Sequence, residues 1–151
     1  MKKILSFVIM SVLMLTLTCS CARKIFPAFN IKKESVTAIE FKQCTLNIDD
    51  IGNPLCVKKD VTAKEDIEKI IDWAQSLKLE KHEPIEYPIE TVRYIIVLKG
   101  KLDHKITFLD DYVLFDSQAY TYKSDLQKKQ VSEKYNFLNY TESKSTLGYT
   151  N

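Results

Sequence analysis

Glycine is scarce in this chain of 151 residues, with three in all; there are two histidines and one tryptophan. So few glycines leave no Gly-rich loop to wrap a phosphate, and neither a P-loop nor a dinucleotide fingerprint occurs. His82 and His104 lie at no ligand spacing from the four cysteines, and HExxH is missing too, so no metal site is expected. An excess of one charge is also lacking. Lys and Arg number 22, Asp and Glu 20, and no acidic residue precedes Glu34. Without Lys2 and Lys3 the two signs balance, which removes any general electrostatic pull toward nucleic acid or an anionic surface. No cofactor and no nucleic-acid partner are expected.

What is present begins with Met1-Lys2-Lys3 and an apolar run of fifteen residues, Ile4 to Thr18. The run is short of the roughly 20 apolar residues a spanning helix needs, and small polar residues follow it. Charge, apolar stretch and small residues in that order predict a secretion signal over residues 1–20. Thr18-Cys19-Ser20-Cys21-Ala22 comes next. Here the segment resembles a bacterial lipoprotein signal peptide, in which a cysteine just after the apolar run is acylated and becomes the mature N-terminus. On that resemblance Cys21, preceded by Ser20, is the lipid attachment point and Cys19, preceded by Thr18, the alternative. Neither has the aliphatic residue the family prefers three positions upstream: Thr18 stands there for Cys21 and Thr16 for Cys19. Ser20-Cys21-Ala22 also fits the small-x-small rule, so an ordinary secreted protein cut after Ala22 is the other reading. Several acyl chains on one cysteine exceed the single-chain threshold for marginal binding, so the implied partner is a lipid bilayer on the extracytoplasmic side. Residues 21–33, of mixed charge, are expected to be a tether.

The body, residues 34–138, reads as one α+β domain: an antiparallel meander of about five to six strands. Its main amphipathic helix packs on one face, and a short helix lies near the C-terminus. The pattern resembles small lipid-anchored α+β proteins of bacteria, a likeness that implies no activity. Val92, Tyr94, Ile96 and Leu98 line one side of a strand whose other side carries Ile95 and Val97, so this strand should be covered on both faces. Shorter strands follow over Lys105–Leu109, Tyr112–Phe115 and Gln118–Tyr122, returning through tight turns. An earlier hairpin pairs the strand around Ile39 and Phe41 with Leu55–Lys58 across a turn cluster ending at Pro54. Capping boxes at Thr62-Ala63-Lys64-Glu65 and Ser124-Asp125-Leu126-Gln127 start the two helices. Ile67, Ile70, Ile71, Ala74 and Leu77 recur at helical spacing in the first, with Trp73 at the helix–sheet margin. Leu79 to Glu90 is read as an acidic loop stiffened by Pro84 and Pro88, and residues 139–151 as a loose tail.

Chemistry is harder to find. Asp49-Asp50 and Asp110-Asp111 are carboxylate pairs that stand where turns use Asp for backbone reasons. Asp103-His104 could serve a small hydrolase, although nothing nearby supplies a nucleophile. Tyr112, Tyr120 and Tyr122 could form a ligand-binding platform, against the plainer reading that tyrosine is a good strand former. The balance favours a non-catalytic binding module for an unknown protein or small ligand, with an inhibitor or immunity-like role as a narrower version. Cys44 and Cys56 lie on opposite arms of the first hairpin. They either bridge, closing a loop of about a dozen residues worth on the order of 2–3 kcal/mol, or pack as free thiols. Unreduced mature protein is expected to weigh two protons less than the reduced chain by mass spectrometry. Two freely alkylated thiols would refute the bridge.

Overall fold

The computed structural model describes residues 29–45, 54–87 and 91–146. The leader, Cys19 and Cys21, and the turn cluster from Asp49 to Asn53 lie outside them. The body is an α+β fold with an antiparallel sheet, larger than the sequence suggests. Among the described residues its eight strands are β1 (Val36–Thr45), β2 (Leu55–Val61), β3 (Leu79–Lys81), β4 (Val92–Gly100), β5 (His104–Leu109), β6 (Tyr112–Phe115), β7 (Gln118–Tyr122) and β8 (Glu142–Ser145). Their order across the sheet is β3-β7-β6-β5-β4-β1-β2-β8. The meander holds for β4 to β7, whose short turns force antiparallel neighbours. The strand count of five to six is corrected by two short additions at the edges. β3 rises out of the segment read as an acidic loop, and β8 out of the segment read as a tail; both pair with strands that would otherwise be edges.

Two helices lie on one face, α1 (Lys64–Ser76) and α2 (Asp125–Phe137). The second is as long as the first, where sequence suggested a shorter one. Every residue of the predicted α1 stripe is buried, and Trp73 stacks on Phe108 with ring centroids 5.9 Å apart. The Thr62 capping box does not form. The N-cap position falls on Ala63, and Tyr140 takes over the role: its hydroxyl accepts the Ala63 N–H and donates to Asp66 Oδ2 at 3.0 Å. At α2 the N-cap is Ser124 as expected, without a side-chain bond, while Gln127 Oε1 accepts the Lys123 N–H.

The tether expected over residues 21–33 gives up its last part to the fold. Phe29 is fully buried against Phe115 and Tyr120, Ile31 is buried, and the Ile31 carbonyl accepts from Gln75 Nε2. Lys33 pairs with Asp72 of α1. The turn that follows passes so close to the end of β4 that a Cβ on Gly100 would run into the Ser35 carbonyl oxygen. That close approach is what glycine permits.

Alternation divides the sheet into two faces, except that a register shift between Val92 and Tyr94 turns Val92 away from the side it was expected to share with Tyr94, Ile96 and Leu98. Ile39, Phe41, Ile96, Leu98, Ile106, Phe108 and Val113 face the helices in the main core. Ile95, Leu109 and Val92 form a second cluster on the other face, with Ile85 and Tyr87 packed on it. The central strand is therefore covered on both sides. Cys44 and Cys56 belong to this second cluster. They are register partners on β1 and β2, 4.2 Å apart at Cα, and are disulfide-bonded.

Lys42, Lys59, Thr107 and Gln127 are buried polar residues, and of these Lys59 lies beneath the end of α2. Lys59 alternates with Val57 and Val61 on the helix-facing side of β2, and it is only 7% exposed. Its ammonium donates to the Tyr135 carbonyl at 3.0 Å and the Leu138 carbonyl at 2.9 Å, and it lies 4.5 Å from the centre of the Tyr135 ring. Those carbonyls belong to the end of α2, where partial negative charge accumulates; the Tyr135 carbonyl also accepts the Leu138 N–H at 3.3 Å. Lys59→Met keeps the stem and deletes the donor, taking the ammonium from the Leu138 carbonyl and leaving the Tyr135 carbonyl with the Leu138 N–H alone. We expect a loss of about 1–3 kcal/mol in urea unfolding. If the loss is no greater than for the exposed Lys144→Met, Lys59 does not hold the helix.

Candidate functional site

On the sheet face away from the helices, alternation brings Lys105 and Thr107 of β5 beside Leu114 of β6. The chain leaving β3 lays Ile85 and Tyr87 over this face. Between Tyr87 and the β6–β7 turn lies a recess of about 300 Å³, lined by Tyr87, Lys105, Thr107, Leu114, Asp116 and Ser117. Leu114 supplies apolar floor. Around it stand an ammonium, two hydroxyls, a phenol and a carboxylate, a set able to hold a small polar group in one orientation. Burial, and then the nearby Lys42 ammonium, press the Lys105 pKa below its ordinary value.

The rim of the recess is a built feature. Asp116 has φ of 50°, the left-handed region, and is the only non-glycine residue so placed among the described ones. Asp tolerates that region better than most because its short carboxylate bonds locally. Here Oδ1 accepts the Lys105 N–H at 2.8 Å, and the Asp116 N–H donates back to the Lys105 carbonyl at 2.8 Å. Its other oxygen, Oδ2, lies 2.8 Å from His104 Nδ1, and the His104 ring stacks on Phe115. One aspartate thus ties the start of β5 to the turn after β6. It fixes where Lys105 leaves the backbone.

The residues singled out by sequence separate in space. Asp103 turns away from His104: its carboxylate accepts from Lys99 Nζ at 3.0 Å and from the Gly100 N–H at 3.1 Å. Those two bonds hold the Asp103 carboxyl below the usual carboxylate range, the lysine contributing most. His104 is oriented instead by Asp116, in the tight turn between β6 and β7. Among the described residues no serine, threonine or cysteine is hydrogen-bonded to the His104 ring. The Asp110-Asp111 pair is engaged structurally, Asp110 with Arg93 through two bonds of 2.8 and 2.9 Å and Asp111 with Lys128.

The tyrosines do not share a face. Tyr120 and Tyr122 pack with the main core, Tyr120 edge-on to Phe29, and burial raises the pKa of both phenols, that of Tyr122 strongly. Tyr112 lies on the opposite face, 5.2 Å from the His82 ring. Tyr112 does line a small recess of about 120 Å³ with Ile85, Tyr87 and Leu109, and the tyrosine of the larger recess is Tyr87, which sequence reading left aside. Its signal in the sequence was its place between two prolines, Pro84 and Pro88.

Among the described residues no group of three or more His, Cys, Asp or Glu is placed to hold a metal ion. No helix among them is long and apolar enough to cross a membrane. No family model, curated protein or solved structure matches the chain.

The clamp can be tested by graded substitution. Asp116→Ala loses both acceptors and forces alanine into the left-handed region, for a combined cost of about 2–3 kcal/mol. Asp116→Asn keeps an acceptor and the backbone tolerance, so chemical denaturation should find it clearly less destabilised. Equal losses for the two would mean the carboxylate geometry is not what holds the turn.

Proposed function

We propose that this chain is a non-catalytic binding module on the extracytoplasmic side of a membrane, anchored through an acylated Cys21 with Cys19 as the alternative. The recess under Tyr87 receives part of its partner. One observation carries this reading: strained backbone at Asp116 is maintained at the rim of a polar-lined recess. Strain of this kind persists only when surrounding bonds over-determine it, and it concentrates where a surface must keep a fixed shape for a ligand. The recess presents donors around an apolar floor without a base and nucleophile in contact. It suits recognition of a small carboxylate, or of a carboxylate side chain on a protein, better than bond cleavage. The charged, apolar and cysteine-bearing leader supports the location. So does the Cys44–Cys56 bridge, since such bonds persist in oxidising compartments.

Two measurements on the full chain test the two halves separately. Mass spectrometry of the N-terminus recovered from membranes should show an acylated cysteine; an intact leader in cytosol would end the anchoring half. Leu114→Trp should fill the recess, and a pull-down from solubilised membranes should then lose the partner that the unmodified chain recovers. Equal recovery by both chains would remove the recess from binding.

A further inference from the structure

The corner of the sheet that holds the recess is also where the chain enters the fold. Phe29, the first described residue, packs on Phe115 with ring centroids 4.9 Å apart. The chain neighbours of Phe115, Leu114 and Asp116, line the recess on the other face of the sheet. Tyr87 bounds the recess on the side away from this corner, where it packs toward Leu109 and the Cys44–Cys56 bridge. The exposed Asp116 and Ser117 form the rim nearest the point of entry. Because the fold begins at the buried Phe29, only eight residue steps lead to it from Cys21. Fully extended, eight residues reach at most about 28 Å. With one layer of about 10 Å between the two faces, an acylated Cys21 keeps the recess within roughly 40 Å of the bilayer surface.

So short a leash decides what kind of partner the recess can use. At about 300 Å³ it is at the small end of ligand pockets, with room for one side chain or a similarly small group. One such contact holds a freely diffusing partner weakly, since association first costs the lost freedom of both bodies. Groups confined to one surface by a short tether meet at roughly millimolar effective concentration, without any new contact. The lining narrows the chemistry. The Lys105 ammonium and the hydroxyls of Thr107, Ser117 and Tyr87 suit an anion, and Leu114 suits a methylene stem. The Asp116 carboxylate at the rim opposes a doubly charged phosphate. Glu40 lies in the same cross-strand row as Lys105, through Val97, and pairs with Lys42 and Lys58. That stretch of the face is charged, so the tails of a bound lipid would find no apolar path along it. We propose that the recess receives an Asp or Glu side chain of a protein held in the same membrane. This rests on the anchoring and the recess of the proposed function, and adds the class and place of the partner.

A photo-crosslinking phenylalanine analogue at position 86, exposed beside Tyr87, reports what sits over the recess when the full chain is irradiated in intact cells. The expected adduct joins the chain to a protein that stays with the membranes after an alkaline wash, its link mapped beside an Asp or Glu. Changing that carboxylate to its amide should cut the yield several-fold. Inserting about thirty Gly and Ser residues between Lys24 and Ile25 leaves the described fold untouched. It should lower the yield roughly five- to tenfold, as effective concentration falls with about the −3/2 power of tether length. An adduct only with a soluble protein, only with lipid, or none at all would overturn the proposal. So would a yield indifferent to the insertion or to the amide. The readings beneath it fail differently: Cys21 and Cys19 free of lipid would end the anchoring, and an adduct undiminished by Leu114→Trp would end the recess, each taking this inference with it. With both intact, a yield independent of tether length removes only the partner in the shared membrane.

Discussion

An ammonium group beneath the end of a helix fixes how the two layers of this protein meet. Lys59 rises from β2 among valines, a place where an unpaired charge would cost several kcal/mol. The carbonyls of Tyr135 and Leu138 and the face of the Tyr135 ring supply the partners that make burial tolerable. In return the last turn of α2, whose apolar stripe is thin, gains an anchor that hydrophobic burial alone gives weakly. Tyr135 is then held edge-on to Phe41 at 5.3 Å, and Phe41 lies edge-on to Tyr94. A charge–carbonyl contact, an aromatic cluster and the helix path are one arrangement.

Much of the frame was legible because it rests on local periodicity. The α1 stripe, the two-faced β4 and the β4–β7 turns announce themselves through apolar spacing and paired Asp residues. What stayed hidden depends on pairing across long stretches of chain. Glu142–Ser145 has no apolar alternation, and Leu79–Lys81 is too short to show any. Each becomes a strand because β2 or β7 offers an unpaired backbone edge, with partners such as Cys56↔Ser145 and Leu79↔Tyr122. Tyr140 replaced the Thr62 capping box for a similar reason, arriving from more than seventy positions away. Lys59 could have been suspected. A lysine at the middle of a Val-x-Lys-x-Val alternation must either face the core or break the strand.

The candidate site was legible only in pieces. Alternation put Lys105 and Thr107 on one side of β5, but the role of Asp116 needs the β5–β6 register, with Ile106 opposite Phe115. That register brings His104 and Lys105 to the turn at Asp116. Sequence proximity suggested Asp103 as the partner of His104. The turn geometry spends Asp103 on Lys99 and Gly100 instead, because a carboxylate there can cap the free N–H of Gly100. The tyrosine trio failed to converge because Tyr112 and Tyr120 have opposite parity around the β6–β7 hairpin.

The ends of the sheet carry a consequence of their own. β3 has three residues, and β8 is four residues of alternating charge and hydroxyl, Glu142-Ser143-Lys144-Ser145. Neither gives an incoming strand much backbone to zip against, and a lysine on a border discourages stacking. Proteins crowded together through this fold can therefore touch by their side chains and part again, without drifting into the endless ladders that long bare borders invite.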